Sequence, residues 1–279
     1  MKLKLVSCEI FFREVCAVAA RSPHRIDLSF LPKGLHDLGA APMLERVQAA
    51  VDACGGDSYD AILLGYGLCN NGLAGLTAHS APLIVPRAHD CLALFFGSRQ
   101  RYQEYFDRHP GTYFFTTGWL ERGEASGDLK QLSIGHQMGM DKTMEQLIAE
   151  YGEDNAKFLH ETLCAPPQNY SQCTFIEMGV EPDGSFEQAA RDRAAAHGWK
   201  FDKVRGDMQL IERLLNGPWD AADFLAVPPG HRVVARYDTG LSPPNRSPDL
   251  PCFQASPNPK LVKPNRMGFA NPGKHWRHS

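Results

Sequence analysis

Three cysteines and their immediate neighbours are the residues of this chain whose types and spacing could support chemistry. Cys8 lies in LVSCEI, Cys69 in LGYGLCNNG and Cys91 in PRAHDC. Each follows a short apolar run that reads as a β-strand: Leu3–Ser7, Tyr59–Leu64 and Leu83–Val85. In an open parallel sheet, ligands bind in the crevice beyond the carboxyl ends of the strands. With a flavodoxin-like order (2-1-3-4-5), strands one, three and four are neighbours, and the outer two lie roughly 10 Å apart. Loop side chains can close that gap, so the three thiols are expected to share one site.

The neighbours suit such a site. Each cysteine is expected near a helix N-terminus, where unpaired N–H groups favour the thiolate, the form that binds metals and attacks electrophiles. His89 is a candidate fourth ligand, completing a Cys₃His set, or a general base. Asp90 is placed to orient it, Arg87 is close by, and Glu9 beside Cys8 could ligate or transfer protons. Zinc suits the set with His89, and an iron–sulfur cluster suits three cysteines alone. No C-x-x-C occurs among them, so the pattern resembles neither a zinc ribbon nor a thioredoxin motif. Metal-free catalysis, with Cys91 or Cys69 as nucleophile and His89 as base, stays open.

Gly65, Gly67 and Gly72 form G-x-G-x-x-x-x-G, which is neither a dinucleotide fingerprint nor a P-loop. Gly65 and Gly67 are expected to let backbone approach a ligand beside Cys69. Asn70 and Asn71 would donate to that ligand or cap the next turn. Tyr66, Trp119, His36 and Arg13 are candidate pocket-wall residues. The other cysteines read as packing or incidental: Cys16 in a helix, Cys54 and Cys164 at helix ends, Cys173 at a strand start and Cys252 in the tail.

The elements that must position these groups alternate strand and helix. Further strands are expected at Ile26–Leu31 and Thr112–Phe115, with helices at Ile10–Arg21, Leu44–Ala53 and Leu92–Phe106. This alternation predicts an α/β fold of parallel βαβ units with right-handed crossovers. Residues 1–118 read as an N-terminal α/β lobe carrying the cysteine site, 119–168 as a mainly helical connection, and 169–239 as a second α/β lobe. GPWDAADFLAVPPG (217–230) echoes GDSYDAILLGYGLC (56–69), which leaves an internal duplication open. Residues 240–279 hold eight of the twenty prolines and six Lys/Arg against one acid, and read as an extended or disordered tail.

Composition excludes several classes. The 279 residues are 43% hydrophobic and 22% charged, ordinary for a globular protein that can bury a large core. A net charge of −3 provides no global basic field, so nucleic acid is not an expected partner. No run approaches the ~20 apolar residues of a membrane span, and Arg13 and Glu14 interrupt the apolar start before a signal sequence forms. A cytoplasmic chain is expected, in which disulfides are a poor default.

The segments FLPKGLHDL, YDAILLGYGLCNNG, PLIVPRAHDC and GSRQRYQEYFDRHPGTYFFTTGWLERG together resemble a bacterial and archaeal family catalogued as domain of unknown function 1638. The similarity runs from Met1 to about Tyr237. Cys8, Cys69, His89 and Cys91 stand in motifs similar to the family's. The resemblance implies an association with corrinoid-dependent methyltransferase systems and supplies no catalytic residues. The expected function is a metal-site protein, with zinc or an iron–sulfur cluster on Cys8, Cys69 and Cys91, acting on a small molecule in methyl or one-carbon transfer. The alternatives are a non-enzymatic module that binds or delivers a corrinoid or metal cofactor to a methyltransferase, and the metal-free thiol catalyst.

Overall fold

The computed structural model describes residues 1–56, 58–69, 71–123, 127–137, 140–160, 170–235 and 253–259. Asn70, Cys164, Cys252 and most of the expected tail lie outside them.

The strands of the first sheet run from alternating segments (KLKLVSC, RIDLSFL) to continuous apolar ones (AILLG, LIVP), the latter as expected of strands covered on both faces. They are β1 (Lys2–Cys8), β2 (Arg25–Leu31), β3 (Ala61–Gly65) and β4 (Leu83–Pro86). Every residue of β3 and β4 is buried. Helices α1 (Phe12–Ala19) and α2 (Ala40–Asp52) supply two of the crossovers. The order is β2-β1-β3-β4, all parallel, so the chain reverses direction across the sheet between β1 and β3. That reversal opens a crevice at the carboxyl ends of these two strands.

The next helical stretch departs from the single helix expected over Leu92–Phe106. It splits into α3 (Leu92–Phe95) and α4 (Arg99–Arg108). Gly97 breaks it with φ +74°, and the Ser98 hydroxyl caps α4 by accepting from the Arg101 N–H.

The fifth strand departs from the expected order. β5 (Thr112–Phe115) leaves the first sheet and pairs with β6 (Gln172–Glu177), which pairs with β7 (Lys200–Arg205), in a second, all-parallel sheet. Between β5 and β6 run α5 (Thr117–Glu121) and four short helices: α6 (Gly127–Leu132), α7 (Ile134–Gln137), α8 (Met144–Tyr151) and α9 (Glu153–Leu159). Helix α10 (Ser185–Ala196) crosses from β6 to β7. Helix α11 (Gln209–Asn216) then buries Leu210, Ile211, Leu214 and Leu215 against the first sheet's core. That burial carries the chain back, and β8 (Phe224–Val227) takes the edge beside β4, antiparallel to it. Each sheet therefore draws on both halves of the sequence.

β8 and β3, the strands of the two similar sequence segments, hold different places: one an antiparallel edge, the other a parallel centre. A two-stranded antiparallel ribbon, β9 (His231–Ala235) with β10 (Phe253–Pro257), completes the fold, and β10 is the described part of the proline-rich segment. Among the described residues no helix is long and apolar enough to cross a membrane.

One contact seats the second sheet on the first. A Cβ on Gly118 of α5 would lie 1.8 Å from the Ile10 carbonyl oxygen. Only glycine lets the two backbones approach this closely, and the approach sets Trp119 beside the end of β1.

Candidate functional site

Cys8 is the last residue of β1, and Cys69 and Cys91 follow β3 and β4. Two backbone hydrogen bonds join the latter loops: Leu68 N–H donates to the Ala88 carbonyl (2.8 Å) and Cys69 N–H to the His89 carbonyl (3.1 Å). Cys69 adopts φ +41°, a left-handed conformation unusual for a residue with a side chain. The result is that Cys69 Sγ and Cys91 Sγ lie 3.3 Å apart. Cys8 and Cys91 both line a cleft of about 590 Å³ between the carboxyl edge of the first sheet and β5. Its floor is deeply buried, with Cys8 7% and Tyr66 2% exposed, and Trp119, Tyr113 and Tyr170 stand among its walls.

For Cys8 and Cys91 the electrostatics reverse the expectation of lowered thiol pKa values. Burial pushes the Cys8 thiol up, and the neighbouring Cys91 adds to the effect. The Cys91 thiol is pushed well above its ordinary range by its hydrogen bond with Cys69 and by burial. The helices expected to favour thiolates are too short to compensate. The one after Cys8 is a three-residue 3₁₀ turn, and α3 after Cys91 has four residues. Desolvation and like-charge crowding dominate instead.

The other expected site residues are dispersed. Asp90 lines the cleft, but it does not serve His89. Its Oδ1 accepts from Leu92 N–H and its Oδ2 from the Tyr102 hydroxyl, both at 2.8 Å. The His89 side chain is exposed and is not part of the lining. Glu9 accepts the Lys33 N–H through Oε1 (2.9 Å), anchoring the loop after β2. Arg87 Nε donates to the Phe224 carbonyl (3.3 Å), which ties it to β8. Gly65 and Gly67 make room for protein. A Cβ on Gly65 would meet Ser7 Oγ at 2.1 Å, and one on Gly67 the Asp90 backbone at 2.4 Å. Among the described residues, no three His, Cys, Asp or Glu side chains are placed to hold a metal ion.

Of the wall residues expected from their positions, Tyr66, Trp119 and His36 line the cleft, whereas Arg13 pairs with Glu121 at 2.8 Å. Sequence reasoning missed Lys33, Tyr102, Tyr113 and Tyr170. Lys33 Nζ sits 4.7 Å from the Trp119 ring centroid and donates to the Trp119 carbonyl. These residues come from the β2 loop, α4, β5 and the segment before β6. Nothing in their spacing brings them together, because their meeting depends on how the second sheet seats.

Fold and site together define an α/β protein with a cysteine-floored aromatic cleft at the carboxyl edge of a parallel sheet. The chain belongs to the family described as protein of unknown function (DUF1638), whose model matches residues 30–215. That span contains Cys69, His89, Cys91 and Trp119; Cys8 lies outside it. No curated protein and no solved structure matches the chain.

Proposed function

We propose that the cleft is a small-molecule site and that Cys69 and Cys91, joined by Cys8, form a thiol centre at its floor that takes up a single soft metal ion such as zinc. The observation that carries this reading is the 3.3 Å separation of the Cys69 and Cys91 sulfurs. Two zinc–sulfur bonds of about 2.3 Å at the tetrahedral angle place their sulfurs ~3.8 Å apart. The pair reaches that spacing by a small rotation, and Cys8 is the third sulfur, drawn in on binding. In a four-iron cluster each thiolate takes a different iron, so the close pair favours one ion over such a cluster. The chemistry of the floor agrees. Thiols crowded together in a buried site resist ionising unless a cation compensates them, and a bound metal inverts that preference. The ion would supply Lewis-acid polarisation of a ligand oxygen or sulfur.

Anaerobic purification with elemental analysis tests this reading, on wild type and on Cys69→Ala, Cys91→Ala and Cys8→Ala. The expected result is one metal ion per chain in wild type, lost in the first two variants and weakened in the third. Metal-free protein whose thiols alkylate at the same rate with and without chelator would overturn it. A cobalamin titration, followed by the corrinoid's visible absorption, tests the corrinoid expectation on the same samples.

The same separation favours a second reading, a metal-free dithiol. Only about 1.3 Å of approach separates the pair from a disulfide bond. The raised pKa of the Cys91 thiol counts against Cys91 acting alone as a thiolate nucleophile.

A further inference from the structure

We infer that the cleft takes a flat, uncharged aromatic molecule bearing a carbonyl-type acceptor, and that the Tyr66 hydroxyl donates a hydrogen bond to that acceptor beside Cys8 and Cys91. The inference rests on the reading of the cleft as a small-molecule site and is independent of whether a metal is bound.

Tyr66 is 2% exposed and belongs to the cleft floor, yet its hydroxyl has no hydrogen-bond partner. Buried hydroxyls are ordinarily paired, because the lost hydration is otherwise uncompensated. Packing does not account for this oxygen, since phenylalanine would fill the same space without it. A phenol proton needs an acceptor, and the sulfurs of Cys8 and Cys91 are weak ones. A ligand oxygen reaching the floor supplies what the protein does not.

The walls define the rest of the ligand. Trp119, Tyr113, Tyr170, Tyr102 and Phe106 line the cleft, a surface suited to stacking or edge contact with a planar ring. The ionisable side chains of the lining other than the thiols and phenols are already engaged by the protein. Lys33 donates to the Trp119 carbonyl at 2.9 Å, His36 lies 3.0 Å from Asp37, and both oxygens of Asp90 accept hydrogen bonds. Among the described lining residues the full charges are one cation, Lys33, and one anion, Asp90, so the lining carries no net charge and a neutral molecule fits better than an anion or a cation. The volume of about 590 Å³ lies within the range of small-molecule pockets.

The test uses the full chain, wild type and Tyr66→Phe, and four probes: 2-naphthamide, naphthalene, 2-naphthoate and cyclohexanecarboxamide. Binding is followed by tryptophan fluorescence and by saturation-transfer NMR. The expected order in wild type places 2-naphthamide first. In Tyr66→Phe its affinity drops about tenfold while that of naphthalene is unchanged. Unchanged 2-naphthamide affinity in Tyr66→Phe would overturn the role of the hydroxyl. Preference for 2-naphthoate or for cyclohexanecarboxamide would overturn the uncharged or the aromatic character. If none of the four probes binds, the cleft reading itself fails with the inference, while the metal analysis of the cysteine variants stands on its own. Far-ultraviolet circular dichroism of Tyr66→Phe, expected to match wild type, separates loss of binding from loss of fold.

Discussion

Cys69 and Cys91 place their sulfurs 3.3 Å apart although 22 residues separate them, because the loop after β3 is hydrogen-bonded along the loop after β4. This contact joins the ends of two adjacent parallel strands at the edge of a buried cleft.

The pair should close on mild oxidation. Treatment with diamide transfers the two thiol hydrogens to the azo bond and forms the Cys69–Cys91 disulfide. Metal-free wild type is expected to lose two titratable thiols and 2 mass units, roughly the two hydrogens removed. Cys69→Ser should lose neither. Peptide mapping that finds Cys8 or Cys16 in the bridge instead would contradict the geometry.

Gly67→Ala should disturb both fold and site. Its Cβ would lie 2.4 Å from the Asp90 backbone, which cannot yield as a flexible side chain could. A loss of about 3 kcal/mol in denaturant unfolding is expected. Diamide closure of Cys69 with Cys91 should slow as well, since the two loops must move apart.

Asp90 and Tyr102 should be energetically coupled. Asp90 caps the turn at Leu92 and accepts the Tyr102 hydroxyl. Asp90→Ala is expected to cost about 1–2 kcal/mol and Tyr102→Phe about 1 kcal/mol. Their double-mutant cycle should show a coupling of roughly 1 kcal/mol. Additive losses would mean that the bond contributes nothing.

Glu14 should make stability fall as pH rises. It is fully buried in α1, neither carboxylate oxygen has a hydrogen-bond partner, and burial raises its pKa to about 7. The folded state therefore holds a proton that the unfolded chain releases near its ordinary value of about 4.3. With folded pKa above unfolded pKa, the contribution is present below about pH 4 and is lost as pH rises through about 7. Glu14→Gln removes this titration. The variant should gain on the order of 1–3 kcal/mol over wild type at pH 8 relative to pH 5, as read by denaturant midpoints. An equal difference at the two pH values would show that Glu14 does not titrate in this window.

How much of this the residues disclose depends on the range of the interaction. The strands LKLVS, IDLSFL and YDAILL follow from apolar runs and local alternation, and the observed β2-β1-β3-β4 is the flavodoxin-like order on which the site expectation depends. The same reasoning places Cys8, Cys69 and Cys91 at neighbouring strand ends. It misassigns β5, because which sheet TYFF joins depends on pairing with a strand 60 residues later, Thr112 opposite Gln172. It draws His89 into the site from adjacency to Cys91, although neighbouring residues on a loop turn different ways. The thiol pKa values likewise depend on burial, which sequence position does not reveal. The sequence by itself determined an α/β chain with cysteines at the carboxyl edge of a parallel sheet, through local periodicity. Only the tertiary structure decided which two sulfurs touch, and that Lys33, Tyr66, Tyr113 and Trp119 surround one cleft. The sulfur contact arises where the loops after β3 and β4 hydrogen-bond to each other, and the cleft where Gly118 seats the second sheet against Ile10; both are long-range packing that no local pattern encodes.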